Sequence, residues 1–491
     1  MAIITIDQKP FEVDQKKNLL ENAISLGLEV PYFCWHPALG SVGSCRLCAV
    51  QQYSDENDTV GRTVMACMTP CKDQSRFSIE HPTAKEFRQA VVEWLMTNHP
   101  HDCPVCDEGG ECHLQDMTLL TGHNYRDYRF QKRTHNNQNL GPFINHEMNR
   151  CISCYRCVRY YKDVAGGSDL AAFKSSGKVY FGRFNEGTLE SEFSGNLVEI
   201  CPTGVFTDKP YHQNYVRKWD LSTSPSVCQL CSVGCNISLG ERLGKLRRVQ
   251  NRYHNDINGF FICDRGRFGH DFVNSDRRIF KYTIKQDDGQ IEVPHDVAMA
   301  KFKKLLGERV VGVGSPSASL EANYALKSLV GSDNFYDVTP SNEKECIDEA
   351  VTVLKESGSH IASLKDIREA DAVLIIGEDV TNTAPILALA IRQAAQRFKQ
   401  NKASEINIDY WNDAAVKDYV REDALPVFSI NAYDQALDGH KIEVHPFEIA
   451  DVVFAINQAV LGQSPTSFQS KFIAQAANAL SLAKNPVIIA G

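Results

Sequence analysis

Fifteen of the seventeen cysteines in this 491-residue chain lie between Cys34 and Cys263 in four successive groups. Their spacings are Cys34-x10-Cys45-x2-Cys48-x18-Cys67, His99-x3-Cys103-x2-Cys106-x5-Cys112, Cys151-x2-Cys154-x2-Cys157-x43-Cys201-Pro202 and Cys228-x2-Cys231-x3-Cys235-x27-Cys263. Only Cys71 and Cys346 stand outside them. The start, Met1-Ala2-Ile3-Ile4-Thr5-Ile6-Asp7, has neither the basic segment nor the apolar core of an export signal. The expectation is therefore a reducing cytoplasm, where closely spaced cysteines mean metal or catalysis rather than disulfides.

The third group carries the clearest chemistry. Three cysteines on one tight loop suit three iron corners of a cubane, and the remote Cys201 closes the fourth; zinc instead draws four ligands around one ion from two separate C-x2-C knuckles. The triplet with its terminal Cys-Pro resembles bacterial ferredoxin, but that pattern needs a further cysteine at 161, where Tyr161 stands. One [4Fe-4S] cluster fits, not a pair. The first group keeps the C-x2-C of a plant-type [2Fe-2S] site with its first gap widened. Cys67 is preferred over Cys71 as its fourth ligand, because Cys67 follows the apolar strand Thr63-Val64-Met65 and Cys71 lies beyond Pro70 in a turn. The second group has three cysteines and needs a fourth donor. His99, His101 and His113 all flank it, and a neutral imidazole there would raise the potential. The fourth group follows an order resembling the amino-terminal cubane of molybdopterin oxidoreductases.

Other signals bound the reading. The 52 basic and 61 acidic residues leave a formal charge of -9, which makes no electrostatic case for nucleic acid. No stretch reaches the ~18 to 20 apolar residues of a membrane span. A strand pair, Ile3 to Ile6 and Phe11 to Val13 about a turn at Gln8-Lys9-Pro10, precedes a helical run at Leu19, Leu20, Ala23 and Ile24 closed by Gly27. Residues 83 to 98 predict a helix with a Thr83–Glu86 capping box and one face of Phe87, Ala90, Val91, Trp94 and Leu95. From there to about 220 the chain is glycine-punctuated, with too little apolar periodicity to hold itself together without metal. Beyond 278, apolar runs at Val310 to Val313, Ala372 to Ile376 and Val487 to Ala490 alternate with helical stretches such as Leu320 to Val330 and Pro385 to Ala395, as in βα units on a parallel sheet. The end at Gly491, just after a buried strand, reads as a truncation. Gly312-x-Gly314 is read as a tight βα turn rather than a nucleotide site.

Five stretches together resemble one family: Val30-Pro-Tyr-Phe-Cys-Trp-His-Pro37, Val92 to Cys106, Asn149-Arg-Cys-Ile-Ser-Cys-Tyr-Arg-Cys-Val-Arg159, Gly195 to Gly204 and Ile262-Cys-Asp-Arg-Gly-Arg267. The chain is similar to the G-type large iron-sulfur subunit of bacterial proton-pumping NADH:quinone oxidoreductase, respiratory complex I. The resemblance implies an α+β and α/β multidomain chain: a β-grasp [2Fe-2S] ferredoxin-like domain at 1–79, a one-histidine, three-cysteine [4Fe-4S] domain at 80–120, a four-cysteine [4Fe-4S] domain at 121–220, a molybdopterin-oxidoreductase-type [4Fe-4S] domain at 221–277 and a partial molybdopterin-oxidoreductase-like α/β domain at 278–491. It selects His99 over His101. It implies an electron relay from a partner subunit that holds FMN and oxidises NADH, through other iron-sulfur subunits, toward quinone. It also places the chain peripherally on the cytoplasmic side of the bacterial inner membrane, with the fourth cluster off the main path and more structural than catalytic.

Residues 278 to 491 look like a molybdopterin scaffold, as at Ser319-Leu-Glu-Ala-Asn-Tyr324. Cys346, followed by Ile347-Asp348, departs from the metal-binding cysteine pattern of formate dehydrogenases, so no molybdopterin is expected and Cys346 is an ordinary helix residue. The competing classes are a formate dehydrogenase using molybdenum or tungsten, an iron-iron hydrogenase, which needs further downstream cysteines, and a zinc-organised binding protein.

Overall fold

The computed structural model describes every residue except 215, 288, 308–309, 421–423 and 464–469. Strands β1 (Ala2–Ile6) and β2 (Lys9–Val13) pair antiparallel across Asp7 and Gln8, which both have positive φ, 46° and 65°. That two-residue turn matches the twist of the flanking strands. It lies one residue earlier than the sequence suggests: Lys9 already pairs with Ile6, and Pro10 is tolerated because β2 is an edge strand. Helix α1 (Leu19–Ser25) is capped by Asn18 and followed by Gly27, whose φ of 73° favours glycine. With β3 (Ala49–Tyr53), β4 (Arg62–Met65) and β5 (Arg76–Ser78) the sheet runs β2-β1-β5-β3-β4, its β1–β5 pair parallel. Ile4, Ile6, Leu20, Ala23 and Phe77 share its core.

Helix α2 (Pro82–Met96) begins before the expected capping box, because the His81 ring accepts the Thr83 amide. Its buried face is Ala84, Arg88, Val91, Val92 and Met96, while Trp94 is 60% exposed. The anticipated stripe is thus rotated. Arg88 belongs inside because its guanidinium donates to the carbonyls of Ala49 and Ile79, which a hydrophobicity pattern does not register. Helix α3 (His113–Thr121) follows and ends on left-handed Gly122.

From 123 to 220 only short elements form, among them β6 (Ile144–His146), α4 (Arg156–Arg159), β7 (Ala171–Phe173), β8 (Tyr180–Gly182), α5 (Leu197–Ile200), β9 (Phe206–Asp208) and α6 (Lys209–His212). Periodicity is weak here, yet a real core exists: Tyr160, Tyr161, Phe181, Phe193, Leu197 and Phe206 are each at most 1% exposed. Apolar residues delivered by loops build it. Strands β10 (Ser222–Val227), β11 (Asn236–Arg242) and β12 (Lys245–Asn251) then make an antiparallel sheet, followed by α7 (Asp264–Phe268).

The chain divides into two compact units, one of Met1–Gly269 with Ser363–Gly491 and one of His270–Ala362. The smaller unit contains a hairpin, Thr283–Gln286 with Gly289–Glu292, a short parallel pair, Gly312–Val313 with Phe335–Tyr336, and helices including Leu320–Val330 and Ser341–Glu356. Residues 363–491 carry a four-stranded parallel sheet in the order His440–Glu443, Val427–Asn431, Ala372–Ile376, Pro486–Ala490. Val373 and Ile375 pack with helix Pro385–Ser404 on one face, and Leu374 packs with Val452 and Ile473 on the other. The stretch read as one region from 278 is therefore divided after 362, and its first apolar run pairs elsewhere, not in this sheet. Among the described residues no helix is long and apolar enough to cross a membrane.

Candidate cluster-binding sites

The first set gathers on the loops around β3 and β4. Gly43 and Arg46, with φ of 65° and 59°, turn the chain on either side of Cys45. Cys67 sits in a single 3-10 turn, Ala66–Met68, directly after β4 ends at Met65. The Cys34 amide lies 3.4 Å from Cys45 Sγ and the Cys67 amide 3.4 Å from Cys48 Sγ, so backbone N–H groups point at sulfur. Hydrogen bonds from Cys45 and Cys67 push the Cys34 thiol down, and the same bonds push Cys45 and Cys67 up. Cys71 is buried in the same sheet core as Cys48 and Cys67, and Asn22 donates to its sulfur at 3.4 Å.

In the second set, α2 delivers His99, the turn Cys103–Val105 carries Cys103 and leads to Cys106, and Cys112 stands at the start of α3. His99 Nδ1 is buried with no hydrogen-bond partner, while the ring bonds the Arg150 backbone and burial pushes its pKa down to about 4. A neutral imidazole with one free nitrogen and its ring held by a backbone group is the form that binds metal. His113 instead has its Nε2 2.7 Å from the Tyr32 carbonyl, and His101 is exposed. Arg217 donates to the carbonyls of Cys103, Pro104 and Cys106, clasping the ligand turn. Burial pushes Cys112 to about 12.

The third set is shaped by two left-handed residues, Ser153 (φ 53°) and Tyr155 (φ 62°), which coil the triplet loop before Cys157 enters α4. The Ser153 amide donates to Cys151 Sγ at 3.3 Å, and Cys201 arrives at the end of α5. Cys151, Cys154, Cys157 and Cys201 line one apolar cavity with Ile152, Phe181 and Phe206. Burial pushes all four thiols up, Cys154 to about 12. Tyr161 is a core residue whose hydroxyl donates to Asp169 at 2.7 Å.

The fourth set closes at the ends of β10 and β11, where the Cys228 amide donates to the Cys235 carbonyl at 2.8 Å. Cys263 starts α7 and its sulfur accepts the Gly266 amide at 3.4 Å. A Cβ at Gly266 would lie 3.5 and 3.6 Å from the sulfurs of Cys228 and Cys263, so glycine keeps the space beside both thiols open. Burial pushes Cys235 to about 12 and Cys263 to about 11. Cys346 is exposed on helix Ser341–Glu356.

The first three sets adjoin one another. Ser44 Oγ donates to the Cys154 carbonyl at 3.2 Å and Arg159 to the Cys34 carbonyl at 3.2 Å, joining sets one and three. A Cβ on Gly204 would lie 2.5 Å from Cys106 Sγ, and Arg150 links Asp102 to the Gly204 carbonyl, joining sets two and three. Sequence reasoning missed these arginines as functional groups. Asn149-Arg150-Cys151 and Arg156-Cys157-x-Arg159 place cations beside ligands and were the available signal.

Among the described residues no three His, Cys, Asp or Glu side chains form a group that could hold a single metal ion. An iron-sulfur cluster spreads its ligands over several irons, and the donor sets fit such a group: mostly buried thiols, amides directed at sulfur, and one partnerless imidazole nitrogen.

Family models match four parts of the chain: a 2Fe-2S iron-sulfur cluster binding domain at 1–79, the NADH-ubiquinone oxidoreductase-G iron-sulfur binding region at 88–127, the NADH-quinone oxidoreductase subunit 3 ferredoxin-like domain at 141–207, and the molybdopterin oxidoreductase Fe4S4 domain at 221–275. The NADH-quinone oxidoreductase G subunit of Pseudomonas fluorescens is 53% identical over 500 residues, and those of Shewanella oneidensis and Escherichia coli K12 are 52% and 51% identical. Each alignment covers 100% of this chain and 55% of the relative, so the chain spans about half the length of the curated relatives it matches. The crystal structure of an NAD+-reducing [NiFe]-hydrogenase in the H2-reduced state matches 42% of this chain and 87% of that one, at 26% identity and a TM-score of 0.38, too low to add to the fold. With half its sequence shared across its whole length and iron-sulfur domain models matching within its first 275 residues, this chain is a relative of the G subunits of NADH-quinone oxidoreductases.

Proposed function

We propose that this chain is the iron-sulfur electron-relay subunit of an NADH:quinone oxidoreductase of the complex I type, passing electrons from an FMN-bearing, NADH-oxidising partner toward quinone. The observation that carries the reading is the contiguity of sets one, two and three through Ser44, Arg159, Arg150 and Gly204. Neighbouring carriers favour short electron hops, and the clusters, when bound, supply one-electron redox centres.

In this reading Cys34, Cys45, Cys48 and Cys67 hold a [2Fe-2S] cluster. Three [4Fe-4S] clusters are held by His99, Cys103, Cys106 and Cys112, by Cys151, Cys154, Cys157 and Cys201, and by Cys228, Cys231, Cys235 and Cys263. The mixed five-stranded sheet with α1 supports a β-grasp form for the first domain. Residues 278–491 act as a molybdopterin-oxidoreductase-type scaffold without molybdenum. The partners are the FMN subunit and the other iron-sulfur subunits of a peripheral arm, which holds the chain at the cytoplasmic side of the bacterial inner membrane.

Elemental analysis of the anaerobically purified chain tests this. About 14 irons per chain with matching acid-labile sulfide, and no molybdenum or tungsten, is the expected result. Stoichiometric molybdenum or tungsten would make the chain a catalytic oxidoreductase instead, and zinc in place of iron would overturn the relay.

A further inference from the structure

We infer that residues 410–413, in the C-terminal α/β segment, form a positioning strap for the loop that follows Cys34. The inference rests on the [2Fe-2S] reading of the first set. It assigns a task to a part of the chain that carries no proposed cluster ligand.

Consecutive residues of the strap reach this loop by separate routes. Tyr410 donates its hydroxyl to Glu21 Oε2 at 2.7 Å, and Glu21 Oε1 accepts Trp35 Nε1 at 3.2 Å, one residue beyond Cys34. The carbonyl of buried Trp411 accepts the Ser41 amide at 3.2 Å, and Ser41 pairs with Asn412 as an isolated parallel bridge. Ser41 is 1% exposed, and its hydroxyl accepts Asn18 Nδ2 at 3.2 Å. A Cβ on Gly40 would stand 3.4 Å from the Trp411 carbonyl oxygen, so the two backbones lie close. Asp413 lies 3.7 Å from Arg159 Nε, and Arg159 donates to the carbonyls of Cys34 and Leu39.

The strap therefore does two things. It shields the loop between Cys34 and Cys45 from water, and Asp413 offsets the Arg159 charge where that guanidinium touches the Cys34 carbonyl. Electrostatics fixes the sign of a test. Asp413→Asn uncovers the Arg159 cation, while Lys417, which also pairs with Asp413, keeps its second partner Asp163. Positive charge favours the more negative, reduced state, so the first-set midpoint rises.

The experiment uses the full chain, purified anaerobically, with two readouts. Redox titration followed by electron paramagnetic resonance should show an upward shift of the binuclear midpoint in Asp413→Asn, little change in the second and fourth sets, and restoration in Asp413→Glu. Hydrogen exchange should show Ser41 protected in the parent chain and faster exchange over residues 36–41 in Tyr410→Phe. An unchanged midpoint at native iron content, or equal shifts in every cluster, overturns the strap. If the parent chain shows no binuclear signal, the cluster reading of the set falls, and exchange decides the strap alone: an unprotected Ser41 amide removes it. The exchange comparison likewise decides the matter if Asp413→Asn does not fold.

Discussion

Leaving a buried imidazole nitrogen without a partner costs on the order of 1–3 kcal/mol, and His99 Nδ1 is in that position while His113 is satisfied by Tyr32. His146 Nε2 and His254 Nδ1 share that state, and only His99 has it beside three cysteines of one set. His99→Cys should retain a cluster but lower its midpoint, because thiolate adds negative charge; a redox titration with an unchanged midpoint would strike His99 from the ligands. Cys71 and Cys67 offer a paired test. Cys71→Ala should cost about 1–2 kcal/mol in the sheet core and leave iron content intact, whereas Cys67→Ala should abolish the binuclear signal. At this scale the C-x2-C spacings were legible, since two thiols three residues apart share a turn whatever surrounds them. Arg217 was not legible, because the carbonyls it clasps lie more than a hundred residues away.

Helix α2 shows why element faces are harder to read. Its apolar residues admit more than one stripe, and the buried one contains Arg88, whose two carbonyl partners exist only once β3 and the segment after β5 are placed. Val91→Ala should cost about 2 kcal/mol, while Trp94→Ala should change stability by less than about 1 kcal/mol; chemical denaturation of the two variants checks the orientation. The turn Cys103–Val105 depends on a cation it does not encode. Arg217→Ala should weaken that turn by about 1.5–3 kcal/mol and hasten iron loss from the second set, with Arg217→Lys intermediate because an ammonium has no planar fork. The rate of iron release to a chelator measures it.

Across the molecule, cluster chemistry and ordinary packing divide the work. The core around Tyr160, Phe193 and Phe206 contains Cys157, Cys201, Cys228, Cys235 and Cys263, so metal and packing stabilise the same region. The sheet of residues 372–490 has two cores with no cysteine in either. Iron removal should therefore loosen residues 98–263 while the sheet keeps its slow amides, a contrast read by hydrogen exchange. Protons compete with metal for thiolate, so iron loss should grow as pH falls. Equal loosening of both regions would count against the division. Local spacing by itself determined which thiols share loops and the metal class they suit, because three to eleven residues of chain constrain two sulfurs directly. Only the tertiary structure decided which face of α2 is inside, that the chain regroups at residue 363, and that the loop after Cys34 meets residues 410–413. Those outcomes depend on contacts closed over scores to hundreds of residues, which no local pattern specifies.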